Sequence, residues 1–473
     1  MTWHGHRVII FGFLPQNLTT MAVAVAFSMA WREHAVEDGG AQDQARGVLA
    51  AFRAGLYRCF SKRPDALLEL ADAVLCRPER VHMLAELSLE PECRRGHGAV
   101  YDAVGCGEVQ VGRLRRALAG LPLPAWDDGR IRRAADVSNW LRPDAATSPE
   151  RLFCHCYARG RGNAQMIPGW PYSFIAAGHW HEGAPDILVV FDSGYDLARL
   201  AWLLRDLPVE VTGRLRSDRV MYFPAPPRPA RPAATGGRPP RHGAVLKLAD
   251  ERSWPAPAVT TSTATSRYGT ARAMAWARLH QRLACRGGWQ SHDGELPVIE
   301  GTLIRLAVDH LPGDRSPGPL WLWSSRAATS AAEVNRTWQA FLRRFDIEHT
   351  FRFFKQVPGW TRPRLRDPAA ADRWTWIVIA CYAQLRLARD LAADIRLPWQ
   401  RPCPPGRLTP ARVRRGFRNI RQTLPGLASA PKPGKPGPGR PPGSKNRRPP
   451  ARHDVGKIVK RQATKKDRRK QKG

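Results

Sequence analysis

Apolar residues recur at helical spacing in four segments of the chain between residues 48 and 120. The segments read AFRAGLYRCF, DALLELADAVLC, RVHMLAELSL and VGRLRRALAGL. Apolar positions three and four residues apart are typical of amphipathic helices. The arginines between them suit a DNA-binding domain and suit a plain helical bundle with solvated charges equally well. The pattern therefore predicts a helical region and assigns no helix-turn-helix.

From Arg133 onward the pattern becomes that of β-strands. RAADVSNW is followed by RLFCHCYARG and NAQMIPGWPYSFIAA, which are interpreted as the next two strands. DILVVFDSGYD, residues 186–196, is a short apolar run of the kind that forms a buried central strand. LARLAWLLRDL then predicts a helix, and VEVTGRLRSD predicts a further strand. The alternation predicts an α/β fold.

After Asp218 a Pro/Gly/Arg-rich loop leads into short strand-like segments within residues 244–325, which we interpret as a β-rich insertion. Ser330 and Glu333 have the spacing of a capping box. Neither Pro nor Gly occurs from there to Gln356, so the sequence predicts one continuous helix through Phe341–Gln356. A second helix is predicted over residues 374–391.

Four residues of this predicted helix share one face. Phe341, Arg344, Glu348 and Lys355 lie at offsets of 0, 3, 7 and 14, within roughly 60° of one another at ~100° per residue. Glu348 is close in sequence to several phenylalanines, so we expect it to be buried. A buried carboxylate needs a cationic partner, here Arg344, Lys355 or a metal ion. The alternative is a solvated face of Arg, Glu and Lys.

The spacing Phe341-x2-Arg344-x3-Glu348-x6-Lys355 resembles the signature of the DDE transposases of bacterial insertion sequences, which is Tyr-x2-Arg-x3-Glu-x6-Lys. Phenylalanine replaces the tyrosine, which puts the contact of its hydroxyl in doubt. Segments such as DVSNWLRPDA, MIPGWPYSF, FDSGYD and GELPVIEGTLIRL also look like this family, and the resemblance covers roughly residues 51–426 and the tail.

The resemblance implies an RNase H-like mixed-sheet core in which Asp136, Asp192 and Glu348 are the catalytic acids. They would hold two Mg²⁺ ions, with Mn²⁺ as a substitute, while Arg344 and Lys355 would hold Glu348 and the DNA phosphates. Paired metal ions activate the attacking oxygen and stabilise the leaving oxygen in phosphodiester chemistry, and carboxylates are the ligands that such hard ions prefer.

The implied function is metal-dependent phosphodiester hydrolysis and strand transfer at insertion-sequence ends. The expected partner is double-stranded DNA, both transposon ends and target, with a homodimer on the DNA and no membrane. We expect a cytoplasmic protein associated with the nucleoid. The alternative is a catalytically inactive DNA-binding protein derived from a transposase.

Composition supports a polyanionic partner. The formal net charge is +34 over 473 residues, which favours nucleic acid or an anionic membrane surface. Nine cysteines without CxxC pairs indicate reduced thiols and not a disulfide framework. The uncharged stretch from Val8 to Trp31 is long enough to span a bilayer, but Pro15, Gln16 and Asn17 interrupt it. A buried N-terminal helix or a start region foreign to the family is the preferred interpretation.

The C-terminal segment from Pro431 contains sixteen Lys/Arg and two Asp, with almost no apolar residues, so it cannot fold alone. PGRPPGSKN partly resembles an AT-hook, a minor-groove motif of A·T-rich DNA. The alternative is a polybasic tail that binds phosphates without groove preference. The expected DNA-binding residues are Arg440, Lys445, Arg447 and Arg448.

These patterns together predict six regions. They are an atypical apolar segment (1–47), a helical and DNA-binding domain (48–130), the first part of the catalytic core (131–218), the β-rich insertion (219–325), the completion of the core with the Glu348 helix (326–426), and a disordered basic tail (427–473).

Two features argue against parts of this scheme. Only 55 residues separate Asp136 from Asp192, and the nine residues GHWHEGAPD leave no room for the crossover helix that the fold requires. We therefore expect the strand that bears Asp192 to be partly uncovered and any catalysis to be impaired. Separately, Cys154, Cys156 and the nearby histidines 179 and 181 suggest zinc, but their spacing favours a core strand.

Overall fold

The computed structural model describes residues 7–10, 38–121, 131–157, 164–175, 187–226, 240–311, 318–404, 406–432, 443 and 450–456. The chain divides into two compact units. The sheet unit comprises Met1–Ala35, Arg115–Val137 and Ser173–Arg352, and the helical unit comprises Val36–Leu114, Ser138–Tyr172 and Phe353–Gly473.

The strands are β1 (Arg7–Ile10), β2 (Phe60–Lys62), β3 (Glu108–Val109), β4 (Ile131–Leu141), β5 (Leu152–Tyr157), β6 (Ala164–Ile175), β7 (Ile187–Phe191), β8 (Val209–Leu215), β9 (Val220–Pro224), β10 (His242–Lys247), β11 (Val259–Thr265), β12 (Gly269–Leu279), β13 (Gly301–Val308) and β14 (Leu320–Ser324). The helices are α1 (Asp38–Arg58), α2 (Pro64–Cys76), α3 (Leu84–Leu87), α4 (His97–Cys106), α5 (Val111–Ala119), α6 (Leu197–Leu203), α7 (Ala331–Leu342), α8 (Phe345–Gln356), α9 (Pro368–Leu387) and α10 (Pro410–Gln422). The predicted α/β class is confirmed.

A large mixed sheet forms the centre of the sheet unit. Seven of the ten strands of this sheet follow the order β4-β7-β8-β14-β13-β12-β11. β4, β7 and β8 run parallel, whereas β14, β13, β12 and β11 each pair antiparallel with the preceding strand in this order. Strands β11 to β14 thus extend the sheet of the core through the pairing of β14 with β8, whereas β10 pairs with β9 in a separate two-stranded sheet.

Both faces of β7 are covered, and all five of its residues are buried. On one face Leu188 and Val190 belong to a core cluster with Trp338 and Phe341 of α7. On the other face Val189 joins a second cluster that includes residues of α6 and tryptophans of β12 and β14. The expectation that β7 would be partly uncovered is wrong, because α7 and α6 cover the apolar residues that the sequence analysis assigned to a missing helix. Burial of each such side chain stabilises the fold by roughly 1.5–3 kcal/mol.

The helical unit is built around α2 and α9, whose residues are almost all buried. At its centre Arg53 forms an ion pair with Asp72 at 2.7 Å and donates a hydrogen bond to Gln384 at 2.6 Å. β5 and β6 pair antiparallel within this unit. The four helical segments predicted between residues 48 and 120 are confirmed as α1, α2, α3 and α5, and the structure adds α4, which the pattern does not predict.

The predicted continuous helix over Phe341–Gln356 is wrong. α7 ends at Leu342 and α8 begins at Phe345, although the capping box of Ser330 and Glu333 at the start of α7 is present. Between the helices, Arg344 N–H bonds to the carbonyl three residues back, on Phe341, at 3.0 Å, and the next bonds follow the same spacing. The tight turn replaces α-helical hydrogen bonds and reorients the Arg344 side chain.

Several predictions fall on residues that the structure does not describe. These include most of the stretch from Val8 to Trp31, the link GHWHEGAPD, and the tail residues Arg440, Lys445, Arg447 and Arg448. None of the helices in the described ranges combines the length and the apolar composition that a membrane crossing requires. The boundaries of the six predicted regions stay predictions.

Candidate active site

The parallel pairing of β4 with β7 brings two acids to neighbouring positions. Ala135 of β4 pairs with Phe191, the last residue of β7. The next residue along each strand is an aspartate, Asp136 in β4 and Asp192 directly after β7. Because parallel strands in register place equivalent positions side by side, the two carboxyl groups lie close together in the sheet unit.

Arg344 joins these acids to the third one, Glu348. Its guanidinium donates a hydrogen bond to Asp136 Oδ2 at 3.3 Å and lies 3.8 Å from Asp192 Oδ1 and 3.5 Å from Glu348 Oε1. Only 5% of the Arg344 side chain is exposed. One buried cation therefore stands among all three carboxyl groups that the sequence singles out.

Two aromatic rings hold the Arg344 guanidinium from its own chain segment. Phe341 at the end of α7 and Phe345 at the start of α8 have ring centroids 5.5 and 5.3 Å from its central carbon. Phe341 is buried in the core cluster beneath α7. The contact of a cation with a ring face needs no hydroxyl group, so phenylalanine serves here as well as tyrosine would.

Glu348 is exposed, and the prediction that it is buried is wrong. Half of its side chain is accessible to solvent, against 20% for Asp136 and 35% for Asp192. The buried face of α8 carries Ile347 and Phe351, and at ~100° per residue Glu348 lies about 100° away from Ile347. Its position in the first turn of α8 favours a carboxylate there.

The acids outnumber the cation that pairs with them. Three carboxylates and one guanidinium leave a formal charge of −2 if all are ionised. Asp192 Oδ1 is buried and accepts no hydrogen bond from the described residues. Such a buried oxygen costs free energy unless another donor or a cation satisfies it.

Burial raises the pKa of Asp136 to about 6, against an ordinary value of 3.8. Arg344 and a hydrogen bond from the backbone N–H of Val137 act in the opposite direction, and the charges of Asp192 and Glu348 raise the pKa further. Desolvation and neighbouring acids thus outweigh the single arginine. Among the described residues, Arg344 supplies too little positive charge to hold the pKa of Asp136 at its ordinary value.

Tyr195 is a residue of this site that the sequence analysis missed. It follows Asp192 by three residues, is buried, and contacts the ring of Phe191 at a centroid distance of 5.0 Å. Burial, followed by the charge of Asp136, raises its pKa, so it is a neutral phenol at physiological pH. The sequence signal that could have identified Tyr195 is the turn DSGY directly after the apolar strand β7.

The remaining predicted residues belong to the helical unit or are not described. Lys355 is on the last turn of α8 and belongs to the helical unit, where its ammonium lies 6.0 Å from the ring centroid of Trp360. Cys154 is buried in β5, as the core-strand interpretation requires, and the two histidines of the zinc alternative lie outside the described residues.

The donor set of the site suits divalent metal ions. Carboxylate oxygens are the ligands that Mg²⁺ prefers, and the buried Asp192 Oδ1 has a free coordination position. Within the described ranges no three His, Cys, Asp or Glu side chains stand close enough to bind a single ion together. The chemistry of the three acids is compatible with divalent cations, and the two-ion arrangement stays a prediction.

Comparison with known families gives a match over part of the chain. A model of the DDE superfamily endonucleases matches residues 55–178 and 174–282, a range that contains Asp136 and Asp192. No curated protein matches the chain. From the helices of residue 55 onward to the end of β12, the chain is therefore similar to the DDE superfamily endonucleases, and its α/β core is RNase H-like.

Proposed function

We propose that the chain is a DDE transposase that hydrolyses phosphodiester bonds and transfers strands at the ends of an insertion sequence. The observation that carries the proposal is the convergence of Asp136, Asp192 and Glu348 on Arg344 within the sheet unit. The three acids come from β4, from the end of β7 and from a later helix, in the order that the transposase signature implies. The similarity to DDE superfamily endonucleases supports the same class of chemistry.

The three acids would hold two Mg²⁺ ions, or Mn²⁺ in their place. When bound, such ions activate the attacking oxygen and stabilise the leaving oxygen of a phosphodiester. Asp136 and Asp192 are fixed by the register of β4 and β7, so their oxygens require little reorganisation. Glu348, half exposed on the first turn of α8, is accessible from solvent and would complete the set from the open side.

The DNA partner follows from charge as well as from chemistry. The chain has a net charge of +34, and its last 43 residues carry sixteen Lys/Arg, among them Arg440, Lys445, Arg447 and Arg448. Salt-dependent contacts with phosphates supply most non-specific DNA affinity. Arg344 and Lys355 are each proposed to bind DNA phosphates. A homodimer on paired DNA ends and a location at the nucleoid complete the proposal.

A second candidate is an inactive DNA-binding protein derived from a transposase. It rests on a specific observation: the family match falls into two parts that meet at residues 174–178, next to the link that is too short for a crossover helix. This candidate would keep the charge and fold but lack cleavage.

The two candidates are separated by incubating the full chain with a duplex that carries the DNA ends flanking its gene. The first candidate predicts nicking at the ends that requires Mg²⁺ and disappears in EDTA. A duplex with scrambled ends, of equal length and base composition, is the matched control.

Binding of both duplexes without any Mg²⁺-dependent nicking would contradict the transposase proposal and support the second candidate. Equal nicking of both duplexes would mean that the protein is an endonuclease that does not recognise the ends flanking its gene. This result would also contradict the transposase proposal.

A further inference from the structure

Arg344 stands where the proposed metal ions need carboxylate oxygens. Its guanidinium contacts one oxygen of each acid, and its side chain is 5% exposed, so the space between the acids is already filled by a cation. A divalent ion and a guanidinium repel each other and compete for the same oxygens. Metal ions can therefore bind all three acids only if Arg344 moves.

The contacts of Arg344 are of a kind that can be exchanged. Only the contact with Asp136, at 3.3 Å, has hydrogen-bond geometry, and the other two are ion pairs at 3.5 and 3.8 Å. A committed arginine–carboxylate pair is usually bidentate, with N···O distances near 2.7–2.9 Å. Arg344 is thus shared among three acids and bound tightly by none of them.

The chain segment around Arg344 is suited to such a movement. Arg344 lies in the turn between α7 and α8, outside both helices. Its Nε–H donates no hydrogen bond to any described residue. Phe341 is fixed in the core, whereas Phe345 is 45% exposed. The buried ring holds the arginine in place, and the exposed ring leaves a direction in which the guanidinium can turn away.

We propose that Arg344 is a built-in counter-ion that holds the three acids together in the metal-free protein and is displaced when divalent cations bind. This inference rests on the proposed function, since it takes Asp136, Asp192 and Glu348 as the metal ligands. It assigns to Arg344 a positioning role that weakens metal binding and stabilises the protein without metal. Metal ions bind only after its contacts are broken.

The test measures Mn²⁺ affinity in the absence of DNA, by calorimetry on the full chain. Arg344→Gln removes the competing charge, so Mn²⁺ should bind at least about tenfold more tightly than to the wild-type chain, while the metal-free variant melts at a lower temperature. Arg344→Lys should give an intermediate affinity. Arg216→Gln, which breaks an exposed ion pair with Asp218, is the matched control and should leave the Mn²⁺ affinity unchanged.

A second variant covers the case in which Arg344→Gln does not fold. Phe345→Ala loosens the contact with Arg344 at an exposed position and should also tighten Mn²⁺ binding. Mn²⁺ affinities equal to or weaker than wild type in the folded variants would overturn the counter-ion role and leave the metal site intact. Absence of Mn²⁺ binding in the wild type and in all variants would overturn both this inference and the proposed metal site.

Discussion

Asp136 and Asp192 are brought together by one pair of residues in register. Because Ala135 pairs with Phe191 in parallel strands, the residue after each of them reaches the same part of the sheet. Both carboxyls are then partly withdrawn from water, and one arginine is shared between them and Glu348. The arrangement costs stability in the metal-free protein, which is a common property of sites prepared for a ligand.

This cost predicts a pH-dependent effect of Asp136→Asn on stability. The pKa of Asp136 is about 6 in the folded protein and 3.8 ordinarily, so the folded state binds the proton more tightly. Protonation therefore stabilises the fold fully below pH 3.8, and this contribution is lost as pH rises to about 6. Above pH 7 the ionised group lowers the free energy of unfolding by on the order of 3 kcal/mol.

In EDTA at pH 8, Asp136→Asn should be more stable than the wild type in urea unfolding, and the difference should shrink toward pH 4. Asp206→Asn, at a side chain that is 81% exposed, is the control and should change little. A variant less stable than wild type at pH 8 would show that Asp136 is well satisfied by Arg344 in the folded state.

At the scale of elements, the local sequence predicts the strands that carry Asp136 and Asp192. It does not predict where the helix that carries Glu348 begins. β4 and β7 are apolar runs with turn signals at their ends, which define a strand from local pattern alone. The break between α7 and α8 contains no Pro or Gly, and Arg344 within it contacts acids more than 150 positions earlier in the chain. Local periodicity carries no information about such a partner.

The burial of Glu348 was mispredicted for a related reason. Sequence proximity to phenylalanines predicts burial of Glu348, but the helix presents Ile347 and Phe351 to the core and Glu348 to solvent. Likewise, the cover of β7 is α7, which the sequence analysis had placed in the completion of the core without a packing partner. Long-range packing decided both outcomes.

The C-terminal segment gives a prediction about DNA affinity. Deleting Pro431 to Gly473 removes sixteen positive and two negative side chains. If the segment makes ~6–10 phosphate contacts, the plot of log affinity against log salt should lose a slope of about 5–9. Fluorescence anisotropy with a non-specific duplex between 50 and 200 mM salt measures this slope.

The control is a chain in which the sixteen Lys/Arg of the tail are replaced by Gln. It keeps the length of the tail, so it distinguishes the effect of positive charge from the effect of removing the segment. It should behave like the deletion. An unchanged slope in both variants would mean that the tail does not contact DNA and that the remaining basic surface accounts for binding.

At the scale of the whole molecule, a chain with a strong net positive charge contains a small site in which acids outnumber cations. The net charge of +34 attracts DNA over long distances, and the three acids with one arginine leave a local formal charge of −2. DNA phosphates are repelled by such a site unless divalent cations bind between them. In the proposed function, DNA binding therefore depends on the many basic residues, and cleavage depends on the oxygens of the three acids.

This division of roles leads to the most direct test of the account. Asp192→Asn and Glu348→Gln each remove a proposed metal ligand without removing a positive charge, so DNA affinity should be kept. Cleavage of the end-carrying duplex in Mg²⁺ should fall by on the order of 10²-fold or more, the scale of losing one transition-state-stabilising group. Asp218→Asn, an exposed acid paired with Arg216, is the matched control and should cleave at the wild-type rate.

The decisive measurement is the single-turnover cleavage rate of these three variants and the wild type on one end-carrying duplex, with DNA affinity measured on the same samples. The account predicts undiminished binding in all four proteins and loss of cleavage in Asp192→Asn and Glu348→Gln alone. Cleavage at the wild-type rate by either of those two variants would contradict the assignment of that acid to the site.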